Sequence, residues 1–160
     1  MTVSSSTAPA DEVQAFAALP EWVVFSCEDR RFAVPLLATR EVVTPQPLTR
    51  LPGCGPEVAG LMGLRGRVIT VFDMGVVLGL SPALREPDHR IIVLDYESRI
   101  AGIAVDFVAE IARKAAALLQ PTDGSGLPEP ARADLVGVGT LDGRPYHALD
   151  PNRILGRLLA

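Results

Sequence analysis

The stretch Gly60–Asp73, GLMGLRGRVITVFD, decides how this chain is read. It is apolar except for Arg65, Arg67, Thr70 and Asp73, and glycine recurs at 60, 63 and 66. Arg65 lies between Leu64 and Gly66, where the backbone can turn tightly and a guanidinium can reach a carboxylate. The RVITVFD that follows is a β-branched run of strand length, and MGVVLGL after it reads as a short turn or helix. An arginine in this setting is a phosphate hook, part of an active site, or a handle for another protein. The rest of the chain narrows the choice.

A length of 160 residues suits one domain or two small intertwined lobes with a real core. With 48% hydrophobic but only 5% aromatic residues, that core is aliphatic. A net charge of -4 and an isoelectric point near 5.1 argue against nucleic acid or an anionic membrane surface as partner. The basic residues are fourteen arginines and the single Lys114. Apolar runs such as Ile91–Leu94 are strand-sized, whereas a spanning helix needs about 20 residues, so no membrane insertion is expected. The N-terminal MTVSSSTAPADEV is not a secretory signal, and Cys27 and Cys54 show no CxxC spacing. A soluble cytoplasmic protein with reduced thiols is the expectation.

Residues 1 to 20 read as a disordered or partly helical tail, with Asp11 capping a short helix that Pro20 stops, and residues 21–160 as the folded domain. WVVFSC and RFAVPL form a hairpin across Glu28-Asp29-Arg30, and REVVTP (Arg40–Pro45) a third strand. GPEVAGL, with Pro56 at a first helical position, predicts a short turn of helix. HRIIVLDYES pairs with RIAGIAVDFVAEI across Glu97-Ser98. RKAAALLQP is helical or bridging, and 121–133 is a Pro- and Gly-rich loop. Asp142-Gly143 is the strongest turn signal, closing a last hairpin. Asp150 then caps a final helix with Pro151 at its first position and Ile154, Leu155, Leu158 and Leu159 in one stripe. Nine or ten short strands with small helical inserts make a mainly β protein of barrel type. A faint repeat adds two related lobes: Ala33–Val42 and Gly102–Ile111 each place an apolar strand seven residues before a Glu-apolar pair.

Catalytic groups do not assemble in the sequence. His89 and His147 share no metal-ligand spacing with each other or with a cysteine, and no metal or cofactor is expected. Cys54 in PGCGP lacks a visible activating cation. There is no GxSxG elbow, Walker lysine loop or GxGxxG, and GVGTLDG suits a hairpin. Asp73 and Asp106 are conceivable as an acid/base pair, but a third convergent group is missing. Each is better read as structural, accepting backbone N–H groups or pairing with an arginine, because an unpartnered buried charge costs several kcal/mol.

Taken in order, GLMGLRGRVITVFD, VVLGL, RIIVLD and GIAVDFV resemble the CheW family of chemotaxis coupling proteins, from about Trp22 to the last helix. Gly60, Leu64, Arg65, Gly66, Asp73 and Met74 stand in register with the family's central signature; Arg40–Val42 and Leu51-Pro52 also match. The resemblance implies two SH3-like five-stranded β-barrel lobes around a shared apolar interface, with short helices and a C-terminal helix. It implies a non-catalytic adaptor between the cytoplasmic tip of chemoreceptors (methyl-accepting chemotaxis proteins) and the regulatory domain of a CheA-type histidine kinase. Such a protein would be cytoplasmic and recruited to membrane-associated receptor arrays. By the same resemblance Glu41, Gly60 and Arg65 lie at partner-binding positions, with Val105 a further candidate. Arg65 would face either Glu41 or a partner. Gly63 stands where the family has Asn, and Thr70 where it has Pro. These departures open an alternative: a divergent relative serving surface motility or development, or one that binds a single partner.

Overall fold

The computed structural model describes residues 21–112 and 119–159. The expected helix after Asp11 and most of RKAAALLQP lie outside them. The first hairpin is β1 (Trp22–Cys27) and β2 (Arg30–Pro35), turning at Glu28 and Asp29, which take φ of 52° and 63°. A 3-10 turn, Leu36–Ala38, carries the chain to β3 (Thr39–Val43). Then come β4 (Val58–Leu64), β5 (Arg67–Asp73), helix α1 (Met74–Val77), β6 (Arg90–Tyr96), β7 (Arg99–Val105) and β8 (Phe107–Ala112). The last elements are helix α2 (Glu129–Arg132), β9 (Leu135–Leu141), β10 (Arg144–Leu149) and helix α3 (Pro151–Leu158).

Two five-stranded sheets result, in the orders β8-β1-β2-β10-β9 and β3-β6-β7-β5-β4. The mainly β, two-lobed reading holds, and the faint repeat is real. In the first sheet Val24 lies opposite Ala33 and Glu110; in the second Val93 lies opposite Gly102 and Glu41. Strand β10 runs parallel to β2 at Ala148–Ala33, as β5 runs parallel to β7 at Val71–Gly102. Even the bulges correspond: pairing shifts between Val58 and Gly60 on β4, and opposite Leu135 and Gly137 on β9. The repeated segments are the two crossovers, because β3 follows lobe 1 into the second sheet and β8 follows lobe 2 into the first. Each lobe therefore lends the other a strand.

Alternation along these strands builds three cores. Trp22, Val24, Tyr146 and Ala148 fill lobe 1, while Met62, Val71, Ile91 and Val93 fill lobe 2. The opposite faces of the same strands, with Phe25, Val34, Ile92, Leu94, Ile103 and Val105, meet in a larger shared core. Central strands buried on both faces read as continuous apolar runs, as these do. Helix α3 closes one side of that core with Ile154 and Leu155, and Asp150 caps it by accepting the N–H groups of Asn152 and Arg153.

Two expectations need correction. GPEVAGL is not helical: Pro56 and Glu57 form a turn and Val58 already belongs to β4. One isolated helical turn gains little against its nucleation cost, whereas the strand gains a ladder with β5 and a bridge from Leu61 to Thr49. RIAGIAVDFVAEI is not a single strand either. It breaks at Asp106, and β8 leaves β7's sheet to pair with β1.

Candidate functional site

Arg65 and Gly66, at φ of 50° and 80°, form the tight turn joining β4 to β5. That turn aims the Arg65 guanidinium at Glu41 on β3, the far edge of the same sheet. Nε donates to Oε2 and a terminal nitrogen to Oε1, both at 3.0 Å. The fork is bidentate and spans the open seam of lobe 2. These hydrogen bonds hold the Glu41 carboxyl below the usual carboxylate range and raise Arg65 further. Arg65 is 76% exposed and Glu41 26%, so the pair is a surface feature. Two exposed valines, Val42 next to Glu41 and Val68 just past the turn, lie on the same two strands.

The other candidates sit deeper. Gly60 is buried at the β4 bulge with φ of 148°, and a Cβ there would stand 2.7 Å from the Thr49 carbonyl oxygen. Val105 is fully buried in the shared core. Both shape the molecule from beneath rather than presenting a side chain. At Gly63 a Cβ would meet nothing within 4 Å, so close packing does not require glycine there.

Asp73 and Asp106 do not face each other across a reactive gap; both are spent on one short segment, Ser81–Arg85. Asp73, 3% exposed, caps α1 through the Val76 N–H at 3.2 Å and accepts from Ala83 at 2.8 Å and Leu84 at 3.1 Å. Asp106 takes Arg85 in a bidentate pair at 3.1 and 2.9 Å and the Glu28 N–H at 2.9 Å. Glu28 itself accepts from Ser81 N–H at 2.6 Å and from the Ser81 hydroxyl, bonds that keep its carboxyl low. Sequence reasoning missed Glu28, Ser81 and Arg85. Their separations in the chain carry no period, and the one available signal is that Asp106, inside AVDFV, requires a cation.

The histidines and Cys27 are packed, whereas Cys54 lies at the surface. The His147 ring lies 5.6 Å from that of Phe32, and burial, with Arg30 nearby, pushes its pKa below 6.5. His89 Nδ1 lies 2.8 Å from the Glu86 carbonyl oxygen. Burial pushes the Cys27 thiol up, Asp106 adding to it, while Cys54 is exposed. Among the described residues no group of three His, Cys, Asp or Glu is placed to hold a metal, and no helix is long and apolar enough to cross a membrane. A cleft of about 370 Å³ beside lobe 2 is lined by Arg50, Leu51, Cys54, Val58, Asp73 and Leu84. Its one buried carboxylate is already saturated by N–H groups.

Comparison with known proteins fits this geometry. A CheW-like domain model matches residues 21–158. The chain is 34% identical over 102 residues to chemotaxis protein CheW of Rhizobium meliloti, covering 64% of this chain and 66% of that one. It is 31% identical over 102 residues to a probable chemotaxis protein CheW of Rhizobium etli, with the same coverage. The matched stretch thus spans just under two thirds of these relatives. Scaffolding protein TtCheW from Thermoanaerobacter tengcongensis superposes with a TM-score of 0.70 at 23% identity, over 81% of this chain and 88% of that one, which shows a shared fold.

Proposed function

The chain belongs to the CheW-like domain family, and from that premise we propose that it is a non-catalytic adaptor of bacterial chemotaxis. It couples the cytoplasmic tips of chemoreceptors to the regulatory domain of a CheA-type histidine kinase, working in the cytoplasm at membrane-associated receptor arrays. The observation that carries this reading is the family match across both lobes, residues 21–158. The non-enzymatic part is supported by the carboxylates: Asp73, Asp106 and Glu28 already hold backbone N–H groups, a hydroxyl and Arg85, leaving none in position to move a substrate proton.

The partner surface in this reading is the seam of lobe 2. The Arg65–Glu41 fork pins the β4–β5 tip against β3, with Val42 and Val68 exposed on those strands as apolar contacts in a charged rim. Gly60 sets the bulge that orients β4, and Val105 supports the lobes from the shared core. Titration calorimetry against a receptor tip and against the kinase regulatory domain tests this. Folded protein should bind both, and Arg65→Glu should weaken at least one interaction on the order of tenfold or more while leaving the fold intact. Binding to one partner alone would select the single-partner alternative. Folded protein that binds neither would overturn the adaptor reading.

A further inference from the structure

We propose that Ser81–Arg85 is a strap that fastens the two lobes to each other and releases as one unit, uncovering the edge of their shared core at Cys27 and Val105. The inference does not depend on the partners named above. Within five consecutive residues the segment is held from three places. Glu28, at the β1–β2 turn of lobe 1, holds Ser81 through its N–H and its hydroxyl. Asp73, at the end of β5 in lobe 2, holds the N–H groups of Ala83 and Leu84. Asp106, where the chain crosses from β7 to β8, holds Arg85 with both oxygens. The same Asp106 carboxylate accepts the Glu28 N–H, and its own N–H donates to Ser26 at 3.0 Å, so the fastening is continuous.

Two features make this a strap rather than ordinary core. Only Ala83 of the five residues is buried, so polar bonds supply nearly all of its attachment; segments with few buried apolar contacts open at less than the global free energy. The equivalent crossover, Leu36–Ala38, carries no carboxylate, and its Leu36 N–H donates to the Glu21 carbonyl oxygen at 3.0 Å. Counted along the sequence from the paired positions Ala33 and Gly102, the place of Asp106 is taken by Leu37, 74% exposed. Fold symmetry therefore does not require the strap. At its fastening points, Cys27 is fully buried between Ser26 and Glu28, and the fully buried Val105 immediately precedes Asp106; both belong to the shared core, whereas Ala83 packs into the core of lobe 2.

Cys27 is a built-in reporter. In a Cys54→Ser background, thiol labelling without denaturant should modify Cys27 slowly, by an opening with a weaker denaturant dependence than global unfolding. Arg85→Met should raise that rate at least tenfold with near-UV circular dichroism unchanged, and Ser81→Ala should raise it less. Arg85→Asp combined with Asp106→Arg should restore protection. If Arg85→Met fails to fold, Ser81→Ala decides on its own. Cys27 labelling that follows global unfolding in the parent, or that Ser81→Ala leaves unchanged, would overturn the strap.

Discussion

Lobe 1 and lobe 2 share strand order, register, bulges and an aspartate-capped helix after β10 and β5 respectively, yet they differ in most side chains that do more than pack. The turn that carries Arg65-Gly66 in lobe 2 carries Asp142-Gly143 in lobe 1, with the same signs of φ but no guanidinium. The helix cap Asp73 is also bonded to the strap, whereas its counterpart Asp150, likewise buried, keeps to its own helix, capping α3 and pairing with Arg153 at 3.8 Å. Position 147 in lobe 1 is a packed histidine; its register partner in lobe 2 is Thr70. A common backbone frame tolerates these exchanges because register and turns, not individual polar groups, define it. The polar groups then make the lobes unequal.

Removing the caps should expose that inequality most strongly. Asp73→Ala leaves three N–H groups without an acceptor in a buried site and is expected to cost about 3 kcal/mol. Asp150→Ala should cost about 1 kcal/mol. Urea denaturation measures both, and equal losses would break the comparison. A smaller contrast is expected at the bulges. Gly60→Ala meets a carbonyl at 2.7 Å from a φ that favours glycine, and should cost about 2 kcal/mol. Gly137→Ala, whose nearest contact is 3.0 Å without a positive φ, should cost about half as much.

The smallest effect concerns protons. Because burial depresses the folded pKa of His147 below 6.5, the unfolded chain takes up the proton first as pH falls. Its contribution to stability is complete above about pH 6.5 and is lost progressively as pH falls from there through the folded value. His147→Thr, which copies lobe 2, should flatten this part of the stability–pH curve. An unchanged slope would show that the histidine is not the source.

Much of the frame was legible in the sequence. The Glu28, Glu97 and Asp142 turns, the Asp150 cap and the repeat at Ala33 and Gly102 all follow from local chemistry and alternation. Two things were not legible. The apolar pattern resumes straight after Asp106, although β7 is a central strand of one sheet and β8 the edge strand of the other, and periodicity cannot report a change of sheet. Pro56 gave a true local signal for a helix start that β4 pairing overrode. The site was half legible. Arg65 announced itself by its glycine-flanked turn, and both alternatives for its target included an acid. Its choice of Glu41 needed the two edges of one sheet brought together in space. The strap joins residues as far apart as Glu28 and Ser81, with no pattern to link them.

An adaptor must hold its two partners at once, so the most direct test is sedimentation velocity on the chain mixed with a receptor tip and the kinase regulatory domain. A single ternary species containing all three is expected, formed without either partner displacing the other. Strict competition between the partners, or a folded chain that sediments alone in their presence, would contradict it.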